Sequence, residues 1–205
     1  MKIRILVADD HAIVRYGLAS LVATQPDMEV VGEAKNGQEA VRLASQLQPD
    51  VILMDLMMPK LDGAEATIRI LKQNPKARIL ILTSFGAANG IARALDAGAA
   101  GALMKTAEDA ALLPAIRNVA ADKTVISREI RKQQNENPPV PELTKRQMEI
   151  LTSMQRGLSN VDIARQLAIR KDSVEEHIRA IFSKLGAANR TEAVAIALRK
   201  HILET

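Results

Sequence analysis

The sequence predicts an α/β fold, a doubly wound five-stranded parallel sheet with helices on both faces, followed by an all-α unit of four helices. Short apolar runs alternate five times with amphipathic segments in the first part of the chain, the pattern expected of a parallel sheet with crossover helices. From Leu143 onward only helical spacing of apolar residues remains. We therefore expect one domain at residues 1–123, a linker at 124–142 and a second domain at 143–205.

Five short apolar runs are the expected strands, and acidic residues lie at the ends of two of them. The runs are residues 3–8, 28–34, 51–55, 78–83 and 101–104. Asp9 and Asp10 follow the first run, and Asp55 closes the third, which Pro59 stops. Consecutive apolar residues indicate a strand buried on both faces, and proline cannot continue the ladder. Asp55 is therefore expected at the carboxyl end of a buried strand, the edge where parallel sheets bind ligands.

The segments between these runs have helical spacing and recognisable helix ends. Ile13 and Leu18 belong to the apolar stripe expected for the first helix. Asp62 stands three residues before Glu65, which has the form of a capping box and opens the helix after the third run. Gly98 is expected to end the following helix in a left-handed conformation.

The C-terminal part begins with a change of composition. Residues 127–142 are polar and then proline-rich, with one isoleucine and one valine, which is linker composition. Thr144, three residues before Gln147, then forms a second capping-box pattern. The longest of the four expected helices runs from Lys171 to Leu185. Its inward-facing residues are expected to be Val174, Ile178, Ile181 and Leu185.

Composition narrows the classes of function. The chain has three aromatic residues and no cysteine, which disfavours base stacking on an aromatic platform and excludes disulfides and cysteine-ligated zinc. Residues 1–126 hold 14 basic and 14 acidic residues, whereas residues 127–205 hold 14 and 10. The net charge of +4 is thus confined to the C-terminal part, which hints at a polyanionic partner there. No targeting or membrane-spanning run is visible, so we expect a cytoplasmic protein.

The acidic residues at the sheet edge have a chemical consequence. Asp9, Asp10 and Asp55 cannot all stay ionised at close range without a cation, and Mg²⁺ favours a half-open site of carboxylates, waters and phosphate oxygens. Asp55 would then be a nucleophile towards phosphorus. Lys105 would neutralise the oxygens of the transferring group, and the Thr83 hydroxyl could donate to a phosphoryl oxygen. For Asp10 alone, a simple helix cap is the competing interpretation.

Residues 3–121 resemble the receiver domain of two-component response regulators, a flavodoxin-like fold. The resemblance is carried by the acid pair Asp9-Asp10, by Asp55 with Pro59 and Asp62-Gly63 behind it, by Thr83-Ser84 and by Lys105. It implies that Asp55 accepts a phosphoryl group from a sensor histidine kinase. It also implies that Asp9, Asp10, Asp55 and the Met57 backbone carbonyl hold Mg²⁺, and that Thr83 and Lys105 respond to the phosphoryl group.

Two positions depart from the receiver pattern. Ala102 stands where such receivers usually carry a tyrosine or phenylalanine that moves with the threonine, and Thr106 stands where many have proline. Switching by Thr83 alone is therefore expected.

Residues 143–198 resemble the four-helix, helix-turn-helix domain of NarL/LuxR-type regulators. Leu143-Thr144, the run from Gly157 to Ala164, and Lys184-Leu-Gly186 carry the resemblance. It implies that the helix from Lys171 to Leu185 lies in a major groove of DNA. The residues expected to contact bases or phosphates are Asn160, Lys171, Ser173, Glu175, Glu176, Arg179, Lys184 and Arg190.

The function expected from these features is that of a regulator rather than an enzyme. The chain would be a transcription factor phosphorylated on Asp55 that binds promoter DNA as a homodimer. A degenerate regulator that has lost phosphorylation or DNA binding and acts through protein partners is one alternative. An aspartyl-nucleophile phosphohydrolase is another, but it typically needs a second acid where this chain has Met57. A flavodoxin-like FMN binder lacks the aromatic residue that would sandwich the flavin.

Overall fold

The computed structural model describes residues 2–84, 88–106, 109–136, 143–200 and 202–203. The chain divides into two units, Met1–Pro138 and Pro139–Thr205. Apolar side chains form separate clusters in the two units, so each has a core of its own. Within the described residues, no helix is both long enough and apolar enough to span a bilayer.

The first unit alternates strands and helices. Its strands are β1 (Ile3–Ala8), β2 (Met28–Ala34), β3 (Val51–Asp55), β4 (Ile79–Thr83), β5 (Gly101–Met104) and β6 (Val125–Ile126). Its helices are α1 (Ala12–Ala23), α2 (Gly37–Leu47), α3 (Gly63–Gln73), α4 (Ala88–Asp96), α5 (Asp109–Ala120) and α6 (Arg128–Glu136). The sheet has the order β2-β1-β3-β4-β5-β6, and every neighbouring pair is parallel.

Apolar residues cover both faces of this sheet, as the doubly wound prediction requires. On β3, Ile52 and Met54 belong to a cluster that includes residues of α2, α3, α4 and α6. The alternate residues Val51 and Leu53 belong to a second cluster with residues of α1 and α5. Successive side chains of a strand point to opposite faces, so the continuous apolar run is explained by helices packed on both sides. The predicted fold class is confirmed.

The strand count and the linker prediction need correction. The sheet has six strands rather than five, because Val125 and Ile126 pair with Gly101 and Ala102 of β5. Residues 128–136 form helix α6 rather than linker. Its single isoleucine, Ile130, is fully buried in the cluster that also contains Ala102. Because Ile130 is the one apolar residue of α6, the composition of this segment is polar, and composition alone could not reveal the helix. The rest of the expected linker, residues 137–142, lies outside the described residues.

Local signals explain where the helices begin and end. The Asp62 side chain accepts a hydrogen bond from the Glu65 backbone amide at the start of α3, as expected for an N-cap. Gly98, after α4, has a φ of +105°, in the left-handed region that glycine enters without steric cost. Ile13 on α1 does not follow its predicted pattern, because it is 87% exposed.

The described residues of the second unit form the four predicted helices: α7 (Lys145–Gln155), α8 (Asn160–Gln166), α9 (Lys171–Leu185) and α10 (Arg190–Arg199). Thr144 and Gln147 form the complete capping box at the start of α7. The Ser159 side chain caps α8 and the Asn189 side chain caps α10. The four residues of α9 predicted to face inward are all buried: Val174, Ile178, Ile181 and Leu185. The opposite side of α9 is therefore the side available to a partner.

Candidate phosphoacceptor site and nucleic-acid interface

The parallel register brings the predicted site residues of the first unit to one edge of the sheet. Asp55 is the last residue of β3 and pairs with Leu82, so Thr83 lies one step beyond it on β4. Thr83 in turn pairs with Met104, which places Lys105 directly after β5. Asp9 and Asp10 follow β1 on the other side of β3. Residues distant in sequence thus converge where the carboxyl ends of the strands meet.

Lys105 joins two buried carboxylates at this edge. Its Nζ atom lies 2.7 Å from Asp9 Oδ2 and 2.9 Å from Asp55 Oδ2. Asp9 and Asp55 are 1% and 2% exposed. A charged group removed from water needs a partner to compensate for its lost hydration. One ammonium group is paired with two carboxylates, so the three charged groups together carry a net negative charge.

The pKa values of these groups reflect this imbalance. Burial is the largest influence on the pKa of Asp55 and raises it, while the hydrogen bond and the charge of Lys105 act to lower it. The negative charge of Asp9 raises the pKa of Asp55 further. Burial also acts to lower the pKa of Lys105, but the carboxylates of Asp9 and Asp55 outweigh it, so that this pKa is raised. The lysine therefore stays protonated. An additional cation would stabilise the ionised form of the buried Asp55 carboxylate.

The arrangement of oxygen atoms suits such a cation. Asp9, Asp10, His11 and Asp55 each offer one ligand atom, and these atoms all lie within 4.8 Å of one another. Asp10 Oδ1 is buried, and within the described residues it has no hydrogen-bond partner beyond an ion-pair contact with His11 Nδ1 at 2.7 Å. Buried carboxylate oxygens with uncompensated charge are the ligands that a hard divalent cation such as Mg²⁺ prefers. The residues present therefore fit the metal predicted from the sequence.

Thr83 and Met57 are the remaining predicted site residues of the first unit. Thr83 is fully buried, and its hydroxyl donates to the Ser84 backbone carbonyl at 3.2 Å. The backbone amide of Met57 donates a hydrogen bond to the Asp55 carboxylate, which lowers the pKa of that group. The Met57 side chain is exposed. Thr83 thus has a local partner, whereas the Met57 backbone already contacts the predicted phosphoacceptor.

The sequence interpretation gave no structural role to two supporting residues, Arg15 and Gly63. Arg15 Nη1 on α1 donates to the backbone carbonyls of Asp9 and Asp10, at 2.8 and 3.2 Å, and so fixes the acidic loop. A Cβ atom on Gly63 would lie 1.9 Å from the Asp55 carbonyl oxygen, so only glycine allows α3 to approach the end of β3. The Arg15 contact has no signal in the sequence pattern. A glycine at the first position of a capped helix could have indicated close backbone approach.

In the second unit, five of the eight predicted DNA-contacting residues lie on the outer side of α9. Lys171, Glu176 and Arg179 are exposed, while Ser173 and Glu175 are half-buried. Lys171 Nζ lies 3.3 Å from Glu175 Oε1. Arg179 Nε donates to the Glu175 backbone carbonyl at 3.4 Å. Glu175 is therefore paired with a lysine one turn earlier on its own helix.

The other three predicted contacts have partners elsewhere in the unit. Lys184 Nζ on α9 donates to Gln147 Oε1 on α7 at 2.9 Å. Arg190 Nη1 on α10 donates to Asn160 Oδ1 at 3.4 Å, and its Nη2 donates to the Leu158 carbonyl. Burial lowers the pKa of the Arg190 guanidinium. Each of these side chains helps to join one helix to another, and a DNA contact would have to share or replace these bonds.

Comparison with known proteins finds a matching family for each of the two units. Residues 5–117 match the family described as the response regulator receiver domain. Residues 141–197 match the family described as bacterial regulatory proteins, luxR family. The first match covers the strand edge with its acidic cluster, and the second covers α7 to α9 and most of α10.

Relatives match over the whole chain. The transcriptional regulatory protein LiaR of Bacillus subtilis is 40% identical over 98% of this chain and 99% of its own length. The response regulator protein VraR of Staphylococcus aureus is 39% identical over the full length of both chains. The crystal structure of the response regulator ChrA of a heme-sensing two-component system is 33% identical, covers 98% of this chain and 99% of its own, and has a TM-score of 0.59. The chain therefore belongs to the NarL/LuxR-type response regulators, transcription regulators that join a receiver domain to a LuxR-type DNA-binding domain.

Proposed function

We propose that Asp55 accepts a phosphoryl group from a sensor histidine kinase, and that this modification controls DNA binding by the second unit. The observation that carries the proposal is the position of the Asp55 carboxylate. It is buried at the end of β3, contacts the Lys105 ammonium at 2.9 Å, and lies beside two further aspartates. A nucleophile, a cation and an acidic cluster are thus assembled at one edge of the sheet.

The residues can carry out phosphoryl transfer as follows. An Asp55 carboxylate oxygen attacks phosphorus and forms an O–P bond, while the bond from phosphorus to the kinase histidine nitrogen breaks and the nitrogen takes up a proton. Lys105 offsets the charge on the phosphoryl oxygens. Asp9, Asp10 and Asp55 with the Met57 carbonyl would hold Mg²⁺. When bound, this ion supplies electrostatic stabilisation of the transferring group.

The response to phosphorylation would begin at Thr83. Its hydroxyl, which donates to the Ser84 carbonyl, would turn away from that carbonyl to donate to a phosphoryl oxygen. Ala102 replaces the aromatic residue that moves with the threonine in related receivers. We therefore place the coupling at the low end of the roughly 1–3 kcal/mol usual for allostery.

The output would be binding of a dimer to promoter DNA. A single helix-turn-helix unit reads one half-site, and half-sites lie about 34–36 Å apart or a multiple of that distance. The exposed side of α9, with Lys171, Glu176 and Arg179, would enter the major groove. Dimerisation after phosphorylation would raise affinity because two recognition helices then bind together.

The experiment that tests the proposal is phosphorylation with acetyl phosphate and Mg²⁺, followed by intact-mass measurement. Wild-type protein should gain one phosphoryl group and Asp55→Ala should gain none. Asp96→Ala, which removes an exposed acid at the far end of α4, is the matched control and should be labelled like wild type. Labelling of Asp55→Ala would refute the assignment, and an unlabelled wild type would favour the degenerate regulator.

A further inference from the structure

His11 lies against the acidic cluster, and the proposed phosphotransfer gives it no role. It follows the acid pair at the start of α1, and its imidazole is 67% exposed. His11 Nδ1 lies 2.7 Å from Asp10 Oδ1 and 3.4 Å from Asp9 Oδ1. One ring nitrogen is therefore directed at the carboxylates, while the rest of the ring faces solvent.

In the structure the contact of His11 with Asp10 is an ion pair. The His11 side chain makes no capping hydrogen bond to α1. Asp10 Oδ1 is buried, and within the part of the chain that the structure describes it has no hydrogen-bond partner beyond this contact. A divalent ion bound at this point would take the place of the proton that joins the two atoms, and both atoms would then face it as ligands.

The spacing agrees with ligands arranged around one ion. For metal–ligand bonds of about 2.1 Å in octahedral geometry, adjacent ligand atoms lie about 3.0 Å apart and opposite ones about 4.2 Å. The distances of 2.7 and 3.4 Å from Nδ1 bracket the adjacent value. The full set of four ligand atoms lies within 4.8 Å, close to the opposite value. Asp55 is the fourth member, and burial raises the pKa of its carboxyl group.

We propose that His11 is a nitrogen ligand in this site, so that the site binds divalent transition ions such as Mn²⁺ in preference to Mg²⁺. The inference rests on the metal site of the proposed function and adds a residue to it. Imidazole suits first-row transition metals, whereas Mg²⁺ prefers oxygen ligands. The residue that follows the acid pair thus sets which metal supports phosphorylation.

The test is pulsed electron paramagnetic resonance of Mn²⁺ bound to the full chain, in which all histidines carry ¹⁵N, at about pH 8. We expect a ¹⁵N coupling from a directly bound nitrogen, which disappears in His11→Ala and persists in His177→Ala. His177 lies on α9 in the other unit and is the matched control. The His11 side chain makes no capping bond, so its removal should leave α1 intact, which circular dichroism checks.

Calorimetric titration gives the second readout. Loss of even an outer-shell partner typically weakens metal binding by about 10- to 100-fold, so His11→Ala should lower the ratio of Mn²⁺ to Mg²⁺ affinity about tenfold. Mn²⁺ binding that depends on Asp10 but shows no ¹⁵N coupling would overturn the role of His11 and leave the metal site intact. Mn²⁺ binding that is unaffected by Asp10→Ala and Asp55→Ala would overturn both.

Discussion

The two units differ in the burial and pairing of the side chains proposed to carry out their functions. At the sheet edge of the first unit, Asp9, Asp55 and Lys105 are paired across strands, and both carboxylates are buried. On α9 of the second unit, the outer side chains are mostly exposed, and Lys171 pairs with Glu175 along the same helix. A buried cluster depends on the backbone around it, whereas an exposed row tolerates replacement. Substitutions in the first unit should thus have large effects, and those on α9 graded ones.

The largest effect is expected at Gly63, which supports Asp55 through backbone contact. In Gly63→Ala the new Cβ would lie 1.9 Å from the Asp55 carbonyl, a clash that only backbone movement relieves. We expect a loss of about 4 kcal/mol or more in the free energy of unfolding, at the upper end for single substitutions. Urea denaturation measures it.

Gly17→Ala is the matched control for this substitution. Gly17 lies within α1, and a Cβ there would meet nothing within 4 Å. Alanine should therefore stabilise the helix by about 0.5–1 kcal/mol. Equal effects of the two substitutions would mean that α3 does not approach the end of β3 as described.

The next effect concerns Ile130, the residue that attaches α6 to the sheet. Ile130→Ala should cost about 2–5 kcal/mol, because it removes a fully buried side chain. Ile13→Ala, which removes an isoleucine that is 87% exposed, should change stability by less than about 0.5 kcal/mol. Thermal unfolding compares the two. If Ile130→Ala proved as harmless as Ile13→Ala, residues 128–136 would be linker after all.

A change of pH should distinguish Asp55 from an ordinary surface acid. Burial raises its pKa in the folded protein, so the folded state binds more protons than the unfolded state above the ordinary carboxyl pKa. Stability therefore falls as pH rises through the folded pKa, and ionised Asp55 destabilises the fold at neutral pH. Asp55→Asn should raise the melting temperature at neutral pH and have little effect in acid, below the ordinary carboxyl pKa.

Scanning calorimetry across this pH range gives the comparison. Adding Mg²⁺ should restore stability to wild type, by about 2.7 kcal/mol at a hundredfold excess over Kd, but not to Asp55→Asn. A lower melting temperature of Asp55→Asn at neutral pH would contradict the raised pKa.

The smallest effects are expected at the two glutamates of α9. Glu can accept a hydrogen bond from cytosine in the major groove, worth roughly 1–3 kcal/mol of discrimination, although it also repels phosphates. We predict that at least one of Glu175 and Glu176 reads a C·G pair. The competing interpretation is that the glutamates only pair with basic residues of their own helix, such as Arg179, and never touch a base. The structure pairs Glu175 with Lys171 instead.

Selection of binding sites from random DNA by Glu175→Ala and Glu176→Ala decides between these roles. Lost preference for cytosine at one position supports base reading. Unchanged preference with uniformly tighter binding would show that the glutamates only repel DNA.

Periodicity and capping were sufficient to predict most of the fold. Residues 51–54 and 79–82 are apolar and buried, so their strands are visible as uninterrupted apolar sequence. Thr144 and Gln147 are local partners in a capping box, and local hydrogen bonds leave local sequence signals. Helix α6 could not be predicted this way, because Ile130 is the only apolar residue in its sequence. The prediction for Ile13 was wrong because periodicity cannot distinguish a helix face covered by other residues from one exposed to solvent.

The site was predictable in its chemistry but not in its contacts. Acids, a hydroxyl and a lysine at strand ends point to one edge, since parallel strands align their carboxyl ends. The bridge of Lys105 between Asp9 and Asp55 depends on side-chain geometry that no pattern encodes. The same is true of His11, whose role depends on the direction of one ring nitrogen.

One measurement tests directly whether the buried site at Asp55 controls DNA binding by the exposed side of α9. Affinity for a selected operator, together with mass by analytical ultracentrifugation, should be determined before and after acetyl phosphate treatment of wild type and Asp55→Ala. Phosphorylated wild type should be a dimer that binds DNA at least tenfold more tightly, corresponding to about 1.4 kcal/mol, while Asp55→Ala stays unchanged. Equal affinity of phosphorylated and unphosphorylated wild type, or a phosphorylated monomer on DNA, would contradict control of DNA binding through Asp55.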